Sequence, residues 1–260
     1  MRRIEPALRA ARAEGRKLLV PYVTGGLGSD WCDVVAAVAA AGADAIEVGI
    51  PFSDPVMDGP TIQEASKQAL DRGTTPASVV SALGEVDAGV PLAVMTYYNI
   101  VFRGGHRRFA RSLIDHGVAG AIVPDLPLDE FGDWARAADD AGVETILLAA
   151  PTTPDDRLAE ICARCRGWVY GVGLMGVTGE RSSLATSAAT MAKRLKAVTD
   201  LPVLIGVGVS TPEQAVEACS EADGVIVGSA LVHRLLEGGG PDGAASFVAE
   251  LRTALDAAPS

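Results

Sequence analysis

Short apolar runs alternate with longer amphipathic segments along almost the whole chain. A run that is apolar nearly throughout, and rich in Val, Ile and Leu, is typical of a strand buried on both faces of a parallel sheet. Eight such runs occur, at 17–24, 43–50, 91–98, 120–126, 144–151, 167–173, 202–209 and 223–228. The pattern therefore predicts eight buried strands.

The segments between these runs carry helical spacing, and the clearest are 29–43, 61–73, 107–118, 129–143 and 211–222. The glycines predicted to end three of these helices are Gly42, Gly117 and Gly142. In the segment that begins TPEQ, the sequence predicts Thr211 as the N-cap, Pro212 as the first helical residue and Gln214 as the capping-box partner. Strand–helix repeats of this kind predict βαβ units around a parallel sheet.

Eight strand–helix units in a chain of 260 residues predict a single (β/α)8 barrel domain over residues 1–260. An additional N-terminal helix is expected within residues 1–17, and a last helix after the glycines 238–240. A doubly wound open sheet is the alternative fold. The chain shows no linker and no low-complexity tract that would divide it.

Composition excludes several classes of protein. The chain is 48% hydrophobic and 21% charged, as is usual for soluble globular proteins, and it has no apolar run long enough to span a membrane. The basic N-terminus lacks the apolar stretch of a signal peptide, which favours the cytoplasm. A net charge of −11, with no basic cluster beyond Arg107 and Arg108, argues against nucleic-acid binding. An anionic substrate would need local donors, such as the N-terminus of a helix.

Four cysteines are present, and Cys162 and Cys165 have the spacing of a redox or zinc half-site. No second Cys or His pair accompanies them, and both fall within a segment with helical spacing. Reduced thiols in a cytosolic protein are the better interpretation, so no metal site is expected.

Active sites of (β/α)8 barrels lie at the C-terminal ends of the strands. Glu47 lies within the second apolar run, between Ile46 and Val48. Strand alternation directs its side chain away from these neighbours and into the barrel. A structural carboxylate held by hydrogen bonds is one interpretation. A general acid/base is the favoured one, because an apolar setting raises the pKa of a carboxyl group towards neutrality.

The loop that follows, PFSDPVMDGPTIQ, carries two further carboxylates, Asp54 and Asp58. Both stand in ordinary turn sequences, so turn chemistry alone does not choose between structure and function for either. None of the three histidines has a partner pattern, and no serine elbow or Cys–His arrangement is visible, which argues against nucleophilic hydrolysis.

Glycines cluster after the last two apolar runs. The loops after strands 7 and 8 of such barrels often bind phosphate through backbone N–H groups and the N-terminus of a helix. The candidate residues are Gly206, Gly208, Gly228 and Ser229. Simple turns would also explain these glycines. From the residues alone, the sequence predicts a phosphorylated small molecule and carboxylate acid/base chemistry, without naming the substrate.

The stretch IEVGIPFSDPVMDGPTIQ resembles the most characteristic motif of the tryptophan synthase alpha subunit family. Further matches follow in chain order over residues 18–236, namely VPYVTGG, MTYYNIVF, IVPDLPLDE, LLAAPTTPDDR, VYGVGLMGVTGER, GVGVSTPEQ and ADGVIVGSALV. An ordered set of this length is far more specific than any single motif. The resemblance implies retro-aldol cleavage of indole-3-glycerol phosphate to indole and glyceraldehyde 3-phosphate, with no metal or organic cofactor.

The resemblance also implies roles for individual residues. Glu47 matches the family's acid/base, and Asp58 matches the aspartate that binds the indole N–H and stabilises positive charge on the ring. Thr178 matches the threonine of a mobile loop that closes over the site and meets Asp58. The other matched positions are the substrate-binding residues, with Tyr97 and Tyr170 beside the indole and Gly179, Gly208, Gly228 and Ser229 at the phosphate. Gly206 is expected to be only a turn glycine.

The resemblance implies a partner as well, a pyridoxal-phosphate beta subunit in an α2β2 assembly. The chain departs from common family residues near the mobile loops, at Gly26-Leu27-Gly28, Met57, Gly173-Leu174-Met175 and Val207. These departures leave open a stand-alone lyase that releases free indole. A non-catalytic activator of a beta subunit is a further alternative, although the retained Glu47, Asp58 and Thr178 argue against it.

Overall fold

The computed structural model describes residues 2–173 and 181–258. Eight parallel strands form a closed barrel in which each strand pairs with the next and the last pairs with the first. The strands are β1 (Leu18–Thr24), β2 (Ile46–Gly49), β3 (Leu92–Met95), β4 (Gly120–Ile122), β5 (Glu144–Ala149), β6 (Val169–Val172), β7 (Val203–Gly206) and β8 (Gly224–Val227). The predicted (β/α)8 barrel is confirmed, and the open sheet is excluded by the β1–β8 pairing.

The helices surround the barrel. They are α1 (Ile4–Ala13), α2 (Trp31–Ala40), α3 (Pro60–Asp71), α4 (Pro76–Leu83), α5 (Tyr98–Gly104), α6 (His106–Asp115), α7 (Gly132–Ala141), α8 (Asp155–Arg164), α9 (Arg181–Lys196), α10 (Pro212–Ala218), α11 (Ser229–Leu236) and α12 (Gly240–Ala257), with a 3-10 turn at Leu128–Glu130. Among the described residues, no helix is both long enough and apolar enough to cross a membrane.

Helix capping follows the sequence closely. Gly142 ends α7 in the left-handed conformation, and Thr211 caps α10 by accepting a hydrogen bond from the backbone N–H of Gln214. The reciprocal bond differs from the prediction, because the Gln214 side chain accepts from Ser210 rather than from Thr211. Thr211 is therefore confirmed as the N-cap, and the second bond of the predicted capping box is replaced by the bonds from Ser210 to Gln214.

One predicted strand is too long. The third apolar run was expected to continue as strand to residue 98, but β3 ends at Met95 and Tyr98 begins α5. The aromatic pair at 97–98 has high strand propensity, yet Asp125 accepts a hydrogen bond from the backbone N–H of Tyr98 at 2.8 Å and stabilises a helix start there. Tertiary structure overrides local propensity at this point.

The barrel interior is filled below the site by layers of apolar side chains. They are Leu18, Val20, Ala45, Ala93, Ile122, Ile146, Trp168, Leu204 and Ile226. A second, larger apolar cluster lies between the strands and the surrounding helices. Because the interior is packed at this level, a small molecule can enter only from the C-terminal end of the strands.

Helix α1 closes the opposite end of the barrel. Ile4 and Leu8 are fully buried against the interior layers. The buried side chain of Glu144, at the start of β5, accepts hydrogen bonds from the backbone N–H groups of Ile4 at 2.7 Å and Glu5 at 2.9 Å. The half-exposed side chain of Arg3 also reaches this carboxylate, with 3.3 Å between its Nε atom and Oε2 of Glu144. Glu144 thus caps the first helix and fixes it to the barrel floor.

Cys162 lies within a helix as predicted, whereas Cys165 lies just beyond the end of that helix. Helix α8 ends at Arg164, and the buried Cys165 thiol donates to the carbonyl of Trp168 at 2.9 Å. Burial raises the pKa of Cys162 to about 11 and that of Cys165 to about 12, so both thiols are protonated near neutrality. The cysteines pack and hydrogen-bond as small core residues.

Candidate active site

A cavity of about 510 Å³ opens at the C-terminal end of the strands. Its size is within the range of roughly 300–1,000 Å³ typical of small-molecule sites. Apolar side chains form part of its wall, namely Ile62, Met95, Leu148, Val172 and Ile226. Glu47 and Asp58 provide carboxylates, and Gly208, Gly228 and Ser229 lie on the side formed by β7 and β8.

Glu47 lies at the bottom of this cavity. Its side chain is 1% exposed, and within the described residues its Oε2 atom has no hydrogen-bond partner. Burial, and to a lesser extent the charge of Asp58, raise the pKa of Glu47 to about 8. A carboxyl group with this pKa is largely protonated at neutrality and can both give and take a proton in that range.

Two tyrosines flank Glu47, and each lies over a glycine. A Cβ atom at Gly49 would be 1.8 Å from the Tyr22 hydroxyl oxygen, and a Cβ at Gly206 would be 2.7 Å from the Tyr170 ring. Both glycines therefore make room for a tyrosine. Gly206 was expected to be a turn glycine, and this was wrong, because it is the last residue of β7 and its role is close approach.

Burial raises the pKa of both Tyr22 and Tyr170 well above the usual value, and the nearby charge of Glu47 adds to this effect. Both hydroxyls consequently remain neutral. Tyr170 lines the cavity as expected. Tyr22 lines it too, but sequence reasoning did not single it out. The available signal was the alternation Leu18, Val20, Tyr22, which directs the last of these into the barrel at the catalytic end.

The structure separates the two aspartates of the loop between β2 and α3. Asp58 is half-buried and lines the cavity. Asp54 is exposed and accepts a hydrogen bond from the neighbouring Ser53 hydroxyl at 2.6 Å. Burial raises the pKa of Asp58, and a hydrogen bond from the Tyr97 hydroxyl partly opposes this rise. Of the two, only Asp58 is placed to meet a bound molecule.

Tyr97 lies behind this loop rather than along the cavity wall. It is 4% exposed, its ring stacks on Phe52 with 4.9 Å between centroids, and its hydroxyl accepts a hydrogen bond from the backbone N–H of Met57 at 3.0 Å. Burial is the main cause that raises the pKa of Tyr97 to about 12. The expected contact between Tyr97 and indole stays a prediction, whereas its contact with the loop is direct.

The expected phosphate residues of the last two units come together. Gly208, Gly228 and Ser229 all line the same side of the cavity. Gly228 precedes α11 and provides no side-chain cap, so within the described residues the backbone N–H groups of its first turn are open to an anion. A Cβ at Gly228 would be 3.5 Å from the nearest atom of Tyr22, so space for a ligand remains above it.

Two predicted site residues, Thr178 and Gly179, lie outside the described residues, as does the departure at Leu174. Of the other departures, Met57 is 57% exposed at the rim, and Val207 lines the cavity against Gly173. Neither displaces Glu47 or Asp58. The described residues contain no group of three or more His, Cys, Asp or Glu side chains arranged for a metal ion.

Comparison with known proteins names the family. A family model described as tryptophan synthase alpha chain matches residues 8–256. The tryptophan synthase alpha chain of Thermobifida fusca is 44% identical over 261 residues, which cover 96% of this chain and 97% of that one. The chain belongs to the tryptophan synthase alpha chain family. The family resemblance predicted from the motifs is therefore confirmed.

Further relatives agree with this placement. The tryptophan synthase alpha chain of Streptomyces coelicolor is 45% identical, with coverage of 94% of this chain and 91% of that one. Among solved structures, Mycobacterium tuberculosis tryptophan synthase superposes with a TM-score of 0.90 at 39% identity, covering 97% of this chain and 98% of the other. The tryptophan synthase alpha chain of Legionella pneumophila gives 0.89 at 30% identity, with 98% of each chain covered. As a tryptophan synthase alpha chain family member, the chain is a carbon–carbon lyase of tryptophan biosynthesis, and the expected cleavage of indole-3-glycerol phosphate is the family's activity.

Proposed function

We propose that this cavity cleaves indole-3-glycerol phosphate, with Glu47 as the acid/base and Asp58 as the electrostatic stabiliser. The observation that supports this most directly is the environment of Glu47. It is a buried carboxyl group at the bottom of a cavity, with a pKa of about 8 and an oxygen that has no hydrogen-bond partner in the part of the chain that the structure describes. The cavity also has an uncapped helix start on another side.

The chemistry assigns two proton transfers to Glu47. Its protonated form gives a proton to C3 of the indole, which makes that carbon tetrahedral and places positive charge on the ring nitrogen. The resulting carboxylate then accepts the proton of the neighbouring glyceryl hydroxyl. As the C–C bond breaks, its electron pair restores the aromatic ring, and the oxygen forms the aldehyde of glyceraldehyde 3-phosphate. A group with a pKa near neutrality serves both transfers.

Asp58 acts on the charge that develops between these two steps. Its carboxylate is half-buried on the cavity wall and is held on the loop before α3. A negative charge at the indole N–H stabilises the protonated ring more than the neutral substrate, so it lowers the barrier rather than only tightening binding. Closure by the segment around Thr178 would complete this pair, as the family resemblance implies.

The phosphate is proposed to bind at Gly208, Gly228 and Ser229. The chain has a net charge of −11, so its overall field does not attract a phosphate. Free N–H groups at the start of α11 supply the local attraction instead. Binding at one end of the substrate holds the indole ring over Glu47 at the other.

A beta subunit is proposed as the partner, in the α2β2 arrangement that the resemblance implies, with the cytoplasm as the compartment. Exposed apolar side chains support a docking surface near the mouth of the cavity. Val56 is 78% exposed and Met57 57% exposed on the Asp58 loop, and Met57 lines the cavity. Apolar side chains at this exposure favour a protein contact when they cluster.

The deciding experiment is indole release from indole-3-glycerol phosphate by the purified chain, with and without a cognate beta subunit. Slow turnover that rises strongly with the partner is the expected result. Fast turnover that is unchanged by the beta subunit would identify a stand-alone lyase. Absence of turnover in both assays would contradict the catalytic assignment and favour an activator of the beta subunit.

The phosphate position is tested separately by Gly228→Ala. The added methyl group makes only ordinary contact with Tyr22 but occupies the space above the helix start. We expect KM to rise about tenfold or more with a smaller change in kcat, because uniform binding is lost. The matched control is Gly243→Ala on α12, where a Cβ meets nothing within 4 Å. An unchanged KM in Gly228→Ala would place the phosphate elsewhere.

A further inference from the structure

A carboxylate from one loop caps a helix on the neighbouring unit. Asp125 follows β4 and is half-buried. Its Oδ1 atom accepts a hydrogen bond at 2.8 Å from the backbone N–H of Tyr98, the first residue of α5. The residue before α5, Tyr97, provides no side-chain cap of its own. The start of this helix is therefore fixed by a residue 27 positions later in the chain.

Tyr97, which directly precedes the Tyr98 N–H that Asp125 binds, contacts the Asp58 loop at two places. The Tyr97 ring stacks on Phe52 near the beginning of the loop, and its hydroxyl accepts from the backbone N–H of Met57, the residue before Asp58. Tyr97 therefore spans the loop from one end to the other.

Few other bonds hold this loop. Ser53, Asp54, Val56 and Met57 are exposed. Among the described residues, two further hydrogen bonds reach Asp58, one from the Tyr97 hydroxyl to its carboxylate and one from the Gln63 side-chain amide to its backbone carbonyl at 2.8 Å. A loop with so few contacts depends strongly on each one for its position.

We propose that Asp125 and Tyr97 are positioning residues for the cleavage reaction, because Asp125 fixes the start of α5 and Tyr97 then holds the Asp58 loop in place. The inference rests on the proposed role of Asp58. It assigns a purpose to the Asp125 position of the IVPDLPLDE segment, which the acid/base chemistry alone does not use. A displacement of about 1 Å in a catalytic group costs up to about a hundredfold in rate, so indirect support of this kind matters.

The first test compares kcat and KM of Tyr97→Phe, Asp125→Ala and Asp125→Asn. Tyr97→Phe and Asp125→Ala are expected to lower kcat about tenfold with a smaller effect on KM, since the phosphate end of the substrate is untouched. Asp125→Asn keeps an oxygen that accepts from the Tyr98 N–H, so it is expected to retain most of the activity. Asp115→Asn, which removes an exposed carboxylate paired with Arg111 on α6, is the control and is expected to behave as wild type.

The second test asks whether the two residues act in one chain of contacts. If Asp125 acts through Tyr97, adding Asp125→Ala to Tyr97→Phe costs clearly less than the same change in the wild-type protein. The thermal midpoint is measured for each variant, so that loss of folded protein is separated from loss of rate. Full additivity of the two substitutions would overturn the proposed connection.

The third test is the pH profile of kcat/KM. The charged and titratable groups facing Asp58 are Glu47, Tyr22 and Tyr97. Loss of the Tyr97 hydroxyl removes a hydrogen bond that favours the ionised form of Asp58, so the acidic limb is expected to move to higher pH in Tyr97→Phe and, in the same direction, in Asp125→Ala. A role in folding alone would lower the plateau and leave the limb where it is, and that result would overturn the proposal.

Asp58→Asn separates this inference from the function on which it rests. If Asp58→Asn is inactive while Tyr97→Phe and Asp125→Ala turn over normally, the positioning proposal fails and the role of Asp58 stands. If Asp58→Asn is fully active, the proposed role of Asp58 fails, and with it the reason for holding its loop.

Discussion

The two ends of the barrel each contain a buried glutamate, and the two residues have opposite surroundings. Glu47, near the catalytic end, and Glu144, at the floor, are both 1% exposed. Glu144 accepts hydrogen bonds from two backbone N–H groups and forms an ion pair with Arg3. Glu47 has an oxygen with no partner among the described residues, and its pKa is raised to about 8. Because the two side chains are equally buried, their different surroundings follow from their hydrogen-bond partners.

The comparison shows how one side chain serves structure or chemistry. A buried carboxylate whose acceptors are filled by backbone N–H groups completes a helix start and has no capacity left for a substrate. One that lacks such partners favours its protonated form and keeps an oxygen for the reaction. The matched change from Glu to Gln at each position tests this difference.

The largest expected effect is on activity at the catalytic end. Glu47→Gln keeps the shape of the side chain but has no acidic proton, so kcat is expected to fall about a hundredfold or more while the protein folds normally. Indole release and the thermal midpoint are measured together. Near-normal kcat would remove Glu47 from the acid/base role.

The same substitution at the floor is expected to affect stability instead. Glu144→Gln directs an amide NH2 towards one of the two backbone N–H groups, which leaves a buried donor unpaired and lowers the free energy of unfolding by about 2–3 kcal/mol. Denaturant unfolding measures the change, and kcat is expected to stay within about twofold of wild type. The control is Glu14→Gln, an exposed residue near the end of the same first helix. If Glu144→Gln lost turnover without losing stability, the structural role assigned to Glu144 would be contradicted.

The pH dependence of stability sharpens the contrast at Glu47. Its folded-state pKa of about 8 lies above the unfolded value, so its contribution to stability is fully present below the unfolded pKa and is lost as the pH rises through about 8. The slope is at most about 1.4 kcal/mol per pH unit for one proton. Relative to wild type, Glu47→Gln is therefore expected to gain stability between pH 6 and pH 8.5. Parallel stability curves for the two proteins would contradict the raised pKa.

The smallest expected effect concerns the exposed neighbour of Glu144. The side chain of Arg3 is 50% exposed, and its ion pair with Glu144 at 3.3 Å is open to water on one side. Arg3→Ala is expected to lower the free energy of unfolding by less than about 1 kcal/mol, because exposed pairs contribute little. A loss as large as that of Glu144→Gln would mean that the ion pair, and not the helix cap, is the important contact.

Much of the fold, and the inward direction of Glu47, can be predicted from the pattern of apolar and polar residues along the sequence. Eight apolar runs with helical segments between them suffice for the barrel, and alternation along a strand suffices to direct Glu47 inward. Gly142 and Thr211 end and begin helices as their residue types predict. In each case the relevant interactions lie within a few residues of the position itself.

The remainder depends on contacts between distant segments. Glu144 was predicted only as part of a strand, because its partners are 139 and 140 residues away. Turn chemistry did not distinguish Asp54 from Asp58, since the difference between them is which one reaches the cavity. Tyr98 was assigned to a strand because no local signal reveals a cap supplied by Asp125. Such residues become predictable only once the barrel is known.

The bonds between Glu144 and the first helix also constrain the order in which the protein is made. The ribosome delivers Ile4 and Glu5 first and Glu144 much later, at roughly 5–20 residues per second. Throughout that interval the helix start lacks its acceptor and the barrel floor lacks its fifth strand. At that rate the segment around Ile4 waits roughly 7–28 s during synthesis, and it can dock only after β5 has emerged.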